Sequence, residues 1–207
     1  MKKMNVVFAF IPTKAPKVLF IMKGTFHIPV TKDEHGDDKN YVTIEYPLII
    51  IGAGQDKTTI YGGFYIQRKQ EEGKKIVLQD ITVKGSSRSG VYSNNGLSFL
   101  CKSMTFTQCG GHGVYASNTK GRLISCVITQ CQYSGIFCNS NALVELEGSQ
   151  TKVHGNVTNG DWDSYGLCTY DTSSVIHLLF PLKKESVSTN NGGGGNYGVC
   201  LGKYFSK

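Results

Sequence analysis

The stretch SMTFTQCGGHGVYASN (residues 103–118) contains two short β-type segments separated by a glycine-rich turn. Its second half recurs along the chain as SGVYSNN, HGVYASN, SGIFCNS, YGLCTYD and YGVCLGK, which begin at residues 89, 112, 134, 165 and 197. Its first half recurs as DITVKGS, SMTFTQC and SCVITQC, which begin at residues 80, 103 and 125. Both series advance by 22 or 23 residues in the middle of the chain, so this region is a repeat array.

The repeats predict strands and turns. Their segments alternate, are rich in β-branched and aromatic residues, and lack helical periodicity. Such a period accommodates about three short strands and three turns, and stacked units of this kind form a parallel β-helix with a spacing of roughly 4.8 Å between coils. Parallel crossovers are right-handed by default. We therefore expect one all-β domain over residues 1–207, a right-handed parallel β-helix of about seven coils.

The alignment also predicts which side chains stack from coil to coil. Asn95 and Asn118 should pair at one turn, and Cys109 and Cys131 at another. Four columns should point inward, and they are Val91, Val114, Ile136, Leu167 and Val199; Ser93, Ala116, Cys138, Thr169 and Leu201; Ile81, Met104 and Cys126; and Val83, Phe106 and Ile128.

The chain divides into three parts. Residues 1–17 should cap the open end of the solenoid, with a short helix at 4–11, because an uncapped end exposes core and strand edges. Residues 18–80 form irregular first coils, and TKDEHGDDKN (31–40) is a polar excursion between the first two. Residues 81–207 form regular coils, with loop insertions near 153–164 and 188–197 where the glycine spacing grows to 31 and 32.

Composition limits the partners. The net charge of +7 favours polyanionic partners, but an ordinary solvated surface explains the carboxylate-free stretch 81–144 better than a polyanion site does. We find no nucleic-acid motif, no metal or cofactor pattern, and no signal peptide or membrane-spanning segment, which predicts a cytoplasmic protein. The seven cysteines include no C-x-x-C pair, so we expect them to be reduced, mostly buried thiols.

Two quoted regions carry a family resemblance. VTIEYPLIIIGAGQDKTTIYGG (42–63) resembles the opening coil of right-handed β-helix repeat proteins of the pectin-lyase-like superfamily, and residues 89–137 resemble its coil repeat. The chain is similar to uncharacterised β-helix proteins of aquatic single-celled eukaryotes and of large DNA viruses that infect them. The resemblance implies the fold and leaves a virion location open. It does not fix an activity, because the superfamily includes lyases, hydrolases, esterases, epimerases and non-catalytic scaffolds.

The Gly-His-Gly at 111–113 invites a catalytic interpretation, because polygalacturonases carry this tripeptide in their active site. The chain lacks their Asn-Thr-Asp and Arg-Ile-Lys motifs, and His112 occupies a position filled elsewhere by serine or tyrosine. We interpret it as a tolerant turn position. The alternative is a lyase or hydrolase acting on anionic glycans, which would have to gather carboxylates in one groove: Asp161, Asp163, Asp171 or Glu145.

Two features favour a non-catalytic scaffold or recognition module for a glycan or protein partner. Tyr92, Tyr115 and Phe137 should form an outward column that either holds sugar rings or stabilises the sheet by stacking. Trp162, between Asp161 and Asp163, lies in the first insertion and either contacts a ligand or plugs the coil edge. Glycines 192–195 predict a mobile loop beside it. End-to-end or other homo-oligomeric association is also open.

Overall fold

Short β-branched and aromatic segments form strands throughout the chain, and left-handed residues separate them at recurring turns. The computed structural model describes residues 17–67 and 73–200, so the predicted capping helix at 4–11 lies outside the described residues. Three parallel sheets of seven strands each run along the molecule, and each coil contributes one strand to every sheet. This arrangement is the parallel β-helix of about seven coils that the repeats predict.

Strands are numbered in chain order. Sheet A contains β1 (Val18–Phe20), β6 (Ile49–Ile51), β9 (Lys75–Gln79), β12 (Ser98–Lys102), β15 (Lys120–Ile124), β18 (Leu143–Glu147) and β21 (Val175–Leu178). Sheet B contains β2 (Gly24–His27), β7 (Thr58–Tyr61), β10 (Thr82–Lys84), β13 (Thr105–Thr107), β16 (Val127–Thr129), β19 (Lys152–His154) and β22 (Ser188–Thr189). Sheet C contains β5 (Tyr41–Ile44), β8 (Gly63–Ile66), β11 (Val91–Asn94), β14 (Val114–Ser117), β17 (Ile136–Asn139), β20 (Leu167–Thr169) and β23 (Tyr197–Val199).

Two further elements leave this pattern. Strands β3 (Thr31–Lys32) and β4 (Asp38–Lys39) form an antiparallel hairpin, and helix α1 (Lys184–Val187) is a single turn before β22. Over residues 17–67 and 73–200, no helix has the length and apolar character needed to cross a membrane.

The strand register confirms most of the predicted columns. Val91 pairs with Val114, Val114 with Ile136, and Ile136 with Leu167, and all four side chains are buried. The smaller column of Ser93, Ala116 and Cys138 is also fully buried, as a narrow interior requires. Buried aliphatic side chains, Met104, Phe106 and thiols fill the rest of the core.

The predicted turn ladders are present as well. Asn95 and Asn118 both adopt left-handed backbone conformations, and the Asn118 side-chain amide donates to Asn95 Oδ1 at 2.6 Å. Cys109 and Cys131 are buried and stacked closely enough that their interaction, followed by burial, raises the pKa of Cys109. Repeated turn residues therefore bond to their equivalents in the next coil.

The last coil departs from the predicted register. Tyr197, not Val199, pairs with Leu167, and Val199 pairs with Thr169 and is 46% exposed. The ring of Tyr165 lies against Gly198, where any side chain would collide with it, so Gly198 is placed opposite Cys168. Val199 therefore does not belong to the inward column. Leu201 lies outside the described residues.

The cysteine prediction is correct for five thiols and wrong for two. Cys101, Cys109, Cys126, Cys131 and Cys138 are free and buried. Cys168 and Cys200 form a disulfide between the sixth and seventh coils, with their Cα atoms 6.4 Å apart. The Cys200 N–H donates to the carbonyl of Thr169, the residue after Cys168, at 2.7 Å. A search for C-x-x-C spacing could not reveal a pair from adjacent coils.

One edge of the solenoid carries the hairpin and the long loop 155–166, whereas the long segment 179–187 of the last coil, which contains helix α1, lies between sheets A and B. We define the B–C corner as the set of turns that lead from a sheet B strand to the sheet C strand of the same coil. The hairpin β3–β4 lies at this corner within the first coil, which corrects its predicted position between the first two coils. The loops at 155–166 and 190–196 leave the same corner in the sixth and seventh coils.

Candidate functional site

The turns at the B–C corner are longest near the two ends of the solenoid and shorter between them. The hairpin β3–β4 stands at the first coil, and the loops 155–166 and 190–196 stand at the last two. Between them, the second coil turns through Gly62 alone, because a side chain there would collide with the carbonyl of Asn40. The intervening turns carry Arg88, His112 and Tyr133. The hairpin and the loop 155–166, which are distant in sequence, thus lie along one edge, as is common for binding loops on repeat proteins.

The hairpin is stabilised by hydrogen bonds to the carboxylate of Asp33. Asp33 Oδ1 accepts the backbone N–H groups of His35 and Asp37, at 2.9 and 3.0 Å, and its Oδ2 accepts from the Arg88 guanidinium at 2.8 Å. Asn40, at the end of the hairpin, donates to the Gly85 carbonyl at 3.0 Å. The Arg88–Asp33 pair was not predicted, because 55 residues separate the partners.

The loop that carries Trp162 is braced by its own acidic residue. Asp161 accepts the backbone N–H of Asp163 at 3.2 Å and the hydroxyl of Ser164 at 2.8 Å. At the base of the loop, the Val157 N–H donates to the Tyr133 carbonyl at 3.0 Å. Asp161 therefore fixes the loop conformation on which Trp162 is presented.

The loop 190–196 packs directly against the insertion 155–166. Gly192 N–H donates to Asn156 O and Gly194 N–H donates to Ser164 O, both at 2.9 Å. A side chain at Gly193 would collide with the Asp161 carbonyl, and one at Gly194 would collide with the Tyr165 ring. The close approach of the two backbones explains why glycine occupies these positions. The mobility predicted from the run of glycines is not needed to explain them.

A buried amide network supports both loops from below. The side-chain amide of Asn156 donates to the Ile128 carbonyl at 3.0 Å, and its Oδ1 accepts the Cys131 N–H at 3.2 Å. The Asn191 amide donates to the Val153 carbonyl at 3.1 Å, and Asn191 Oδ1 accepts from the Asn156 amide at 3.0 Å. The sequence prediction missed this pair, although both asparagines occupy the turn position of Cys109 and Cys131 in the later coils.

Trp162 is 65% exposed at the tip of the braced loop. Of the two predicted alternatives, a ligand contact requires an exposed indole and a plug requires a buried one. The exposure favours the contact, although binding by Trp162, Asp161 and Asp163 stays a prediction.

The aromatic column follows the register of sheet C. Tyr65, Tyr92, Tyr115 and Phe137 are successive partners. The Tyr92 and Tyr115 rings are stacked with centroids 4.4 Å apart and planes 3° apart, and Tyr115 and Phe137 are stacked at 5.4 Å and 13°. Cys168 continues the column, but Cys200 does not, because Gly198 takes its place.

This stacking determines what the column offers a ligand. Neighbouring rings cover the faces of Tyr115, so its accessible parts are ring edges and the hydroxyl, which accepts from Asn139 Nδ2 at 3.2 Å. Burial raises the pKa of Tyr92 to about 12, which keeps its phenol protonated at neutral pH. The geometry suits stabilisation of the sheet, and sugar binding by Tyr92, Tyr115 and Phe137 stays a prediction.

His112 belongs to the same stack. Its ring lies 4.6 Å from that of Phe137 at an angle of 25°, and 5.7 Å from that of Tyr133. Its Nδ1 atom is enclosed and lacks a hydrogen-bond partner. The interpretation of this position as a tolerant turn therefore needs correction, because the imidazole is packed among aromatic rings that adjacent coils bring to it.

The surroundings keep His112 neutral. Burial lowers its pKa to about 4, and the backbone of Ser134 and the carboxylate of Asp161 act weakly in the opposite direction. A neutral imidazole with an enclosed Nδ1 fills space in the stack.

The remaining predicted acidic residues lie on other parts of the surface. Glu145 is on sheet A beside Arg122, and Asp171 follows β20, where its carboxylate accepts the Ser140 N–H at 2.6 Å. Within residues 17–67 and 73–200, no three His, Cys, Asp or Glu side chains are grouped as metal ligands.

Comparison with known proteins identifies the family. The family model described as a right-handed β-helix region matches residues 38–179, and no curated protein or solved structure matches the chain. This match covers more than half of the sequence and agrees with the three parallel sheets. The chain belongs to the right-handed β-helix family.

Proposed function

We propose that this right-handed β-helix protein is a non-catalytic recognition module that binds a glycan at the B–C corner, with Trp162 as the principal contact. The supporting observation is the exposed indole on a loop fixed by Asp161 and by the glycines of the neighbouring loop 190–196. An exposed tryptophan on a rigid loop loses little conformational freedom on binding, and tryptophan is enriched among residues that dominate binding energy.

The neighbouring groups favour a sugar. An indole face offers a flat apolar surface for the C–H groups of a sugar ring, and carboxylates accept hydrogen bonds from hydroxyls. Asp161 is engaged in holding the loop, so Asp163 is the better placed of the two to accept from a ligand. The same indole could serve a protein partner in a virion or another assembly, and the experiment below separates these occupants.

The positions of the acidic residues argue against the enzyme alternative. Glycoside hydrolysis needs two carboxylates across one bond, and here Glu145 and Asp171 lie on other surfaces than Asp161. The only histidine in the middle of the B–C corner is His112, which is packed and neutral. The pectin-lyase-like resemblance therefore supports the fold of the module more than an activity.

The experiment is a titration of Trp162 fluorescence, because this residue is the sole tryptophan. A panel of neutral, acidic and amino-bearing oligosaccharides is tested on the wild type, Trp162→Ala and Asp163→Ala. Val175→Ala, which shortens an exposed side chain on sheet A, is the control. We expect saturable quenching with at least one glycan in the wild type and control, and on a glycan array binding should be lost in Trp162→Ala.

Three outcomes would contradict the proposal. A flat fluorescence signal with every glycan would remove the site, and undiminished array binding by Trp162→Ala would move it elsewhere. Release of unsaturated products or new reducing ends would instead support the polysaccharide-active enzyme.

A further inference from the structure

The disulfide between Cys168 and Cys200 encloses the last coil. The two cysteines are 32 residues apart in the sequence, and the interval between them contains both the loop 190–196 and the strand β23. Both side chains are buried, whereas the five other cysteines of the chain are free thiols. The cross-link therefore lies in the coil that packs against the Trp162 loop.

Strand β23 is held by few other contacts. Among the described strands it pairs with β20 alone, and its two side chains, Tyr197 and Val199, are 43% and 46% exposed. Val114, which lies in the column that Tyr197 continues, is fully buried. A strand with one partner and little buried apolar surface opens at a low cost in free energy. The disulfide therefore restrains a strand that would otherwise open readily.

Hydrogen bonds and close contacts connect β23 to the Trp162 loop. The Asn196 carbonyl, directly before β23, accepts the Leu167 N–H at 2.9 Å. Two residues earlier, the Gly194 N–H donates to the Ser164 carbonyl at 2.9 Å, and a side chain at Gly194 would collide with the Trp162 carbonyl. If β23 opens, the loop 190–196 loses its attachment at one end, and the Trp162 loop loses a neighbour that supports it.

We propose that the Cys168–Cys200 disulfide is a redox-controlled lock on the Trp162 loop. A dithiol reductant supplies two electrons and two protons. Its thiolate attacks one sulfur and breaks the S–S bond, and a second exchange releases both cysteines as thiols while the reductant becomes a disulfide. The reductant reaches the buried sulfurs when β23 opens.

In the reduced protein, β23 and the loop 190–196 open more often, and the Trp162 loop moves with them. Rigid presentation of the indole is then restricted to the oxidised protein. Control of glycan binding by this lock rests on the function proposed above, whereas the lock itself does not.

The test follows hydrogen exchange of individual amides by NMR in the full chain, before and after reduction by a dithiol. The Gly192 and Gly194 amides donate across the two loops, so their exchange should become about 30-fold faster or more, in line with the usual contribution of a disulfide. The Val114 amide, in a regular coil, should exchange at the same rate in both states. The anisotropy of Trp162 fluorescence should fall on reduction.

Two variants separate the disulfide from other effects of the reductant. Cys168→Ser with Cys200→Ser should show fast exchange and low anisotropy without reductant, and adding reductant should change neither. Cys138→Ser is the matched control, because Cys138 is a buried free thiol whose column also contains Ser93. This control should respond to the reductant as the wild type does.

Free thiols at Cys168 and Cys200 after treatment with oxidised glutathione, detected by alkylation and mass spectrometry, would overturn the proposal. So would complete reduction that leaves exchange at Gly192 and Gly194 unchanged. Equal acceleration at Val114 would also contradict it, because the disulfide would then stabilise the whole solenoid. None of these measurements uses a ligand, so their failure would leave the glycan proposal for the B–C corner unaffected.

Discussion

The regular coils at 81–144 and the loops at 155–166 and 190–196 are stabilised by different kinds of contact. In the regular coils, each side chain stacks on its own equivalent, as Val114 does between Val91 and Ile136. In the loops, stability comes from contacts between unlike groups, such as Gly193 against the Asp161 carbonyl. Repetition therefore gives each residue of a regular coil equivalent neighbours on both sides, whereas the loops depend on single fitted contacts that present Trp162 in one defined way.

The largest effect should come from breaking a stacked column. Val114→Asp places a carboxylate in the core, where an unpaired charge costs several kcal/mol, and we expect little folded protein. The control is Val199→Asp, because the repeats align both valines in one column but the structure exposes Val199. Circular dichroism and thermal melting should separate the two variants. Equal damage would mean that Val199 also points inward.

The second-largest loss of stability should come from disrupting the buried amide network beneath the loops. Asn156→Ala leaves the Cys131 N–H and the Ile128 carbonyl without their partner, which should cost about 3 kcal/mol. Asn94→Ala, at an exposed position in a regular coil, should change the free energy of unfolding by less than about 0.5 kcal/mol. Urea unfolding measures both, and similar values would show that the network adds nothing specific.

Acid should destabilise the protein through His112. Its folded pKa of about 4 lies below the unfolded value of 6.5, so the unfolded chain binds more protons between these values. The contribution of the neutral ring is complete above pH 6.5 and decreases as the pH falls towards 4, by roughly 3 kcal/mol in total. His112→Phe should keep the stacking and remove this dependence. Urea unfolding at pH 7 and pH 5 tests it, and an identical pH slope in both proteins would contradict the assignment.

The smallest expected effect concerns whether the loop 190–196 is closely packed or mobile. Gly193→Ala should cost about 2 kcal/mol, because it combines the collision with Asp161 and a left-handed backbone. Gly160→Ala is the matched control, since this glycine is also left-handed but has open space around it, and it should cost about 1 kcal/mol. Thermal melts compare the two stabilities. If the loop were mobile, Gly193→Ala would be no worse than the control.

The sequence by itself determined the coils. Equivalent residues recur in equivalent surroundings, so spacing alone predicts strands, turns and the columns of Val114 and Asn118. It predicted both insertions at one corner, but most of the extra residues of the last coil lie at 179–187, between sheets A and B, because the repeat spacing does not say which turn of a coil is lengthened. Alignment could not choose between ring stacking and sugar binding for Tyr115, since that depends on ring planes and not on spacing.

Only the tertiary structure decided the parts that do not repeat. The hairpin β3–β4 is fixed by Arg88 from another coil, the last strand shifts because the Tyr165 ring covers Gly198, and His112 is enclosed by rings from adjacent turns. The exposure of Trp162 likewise depends on how loop 190–196 packs beneath it. Each of these features results from contacts between residues distant in sequence that have no equivalent in another coil, so periodicity carries no information about them.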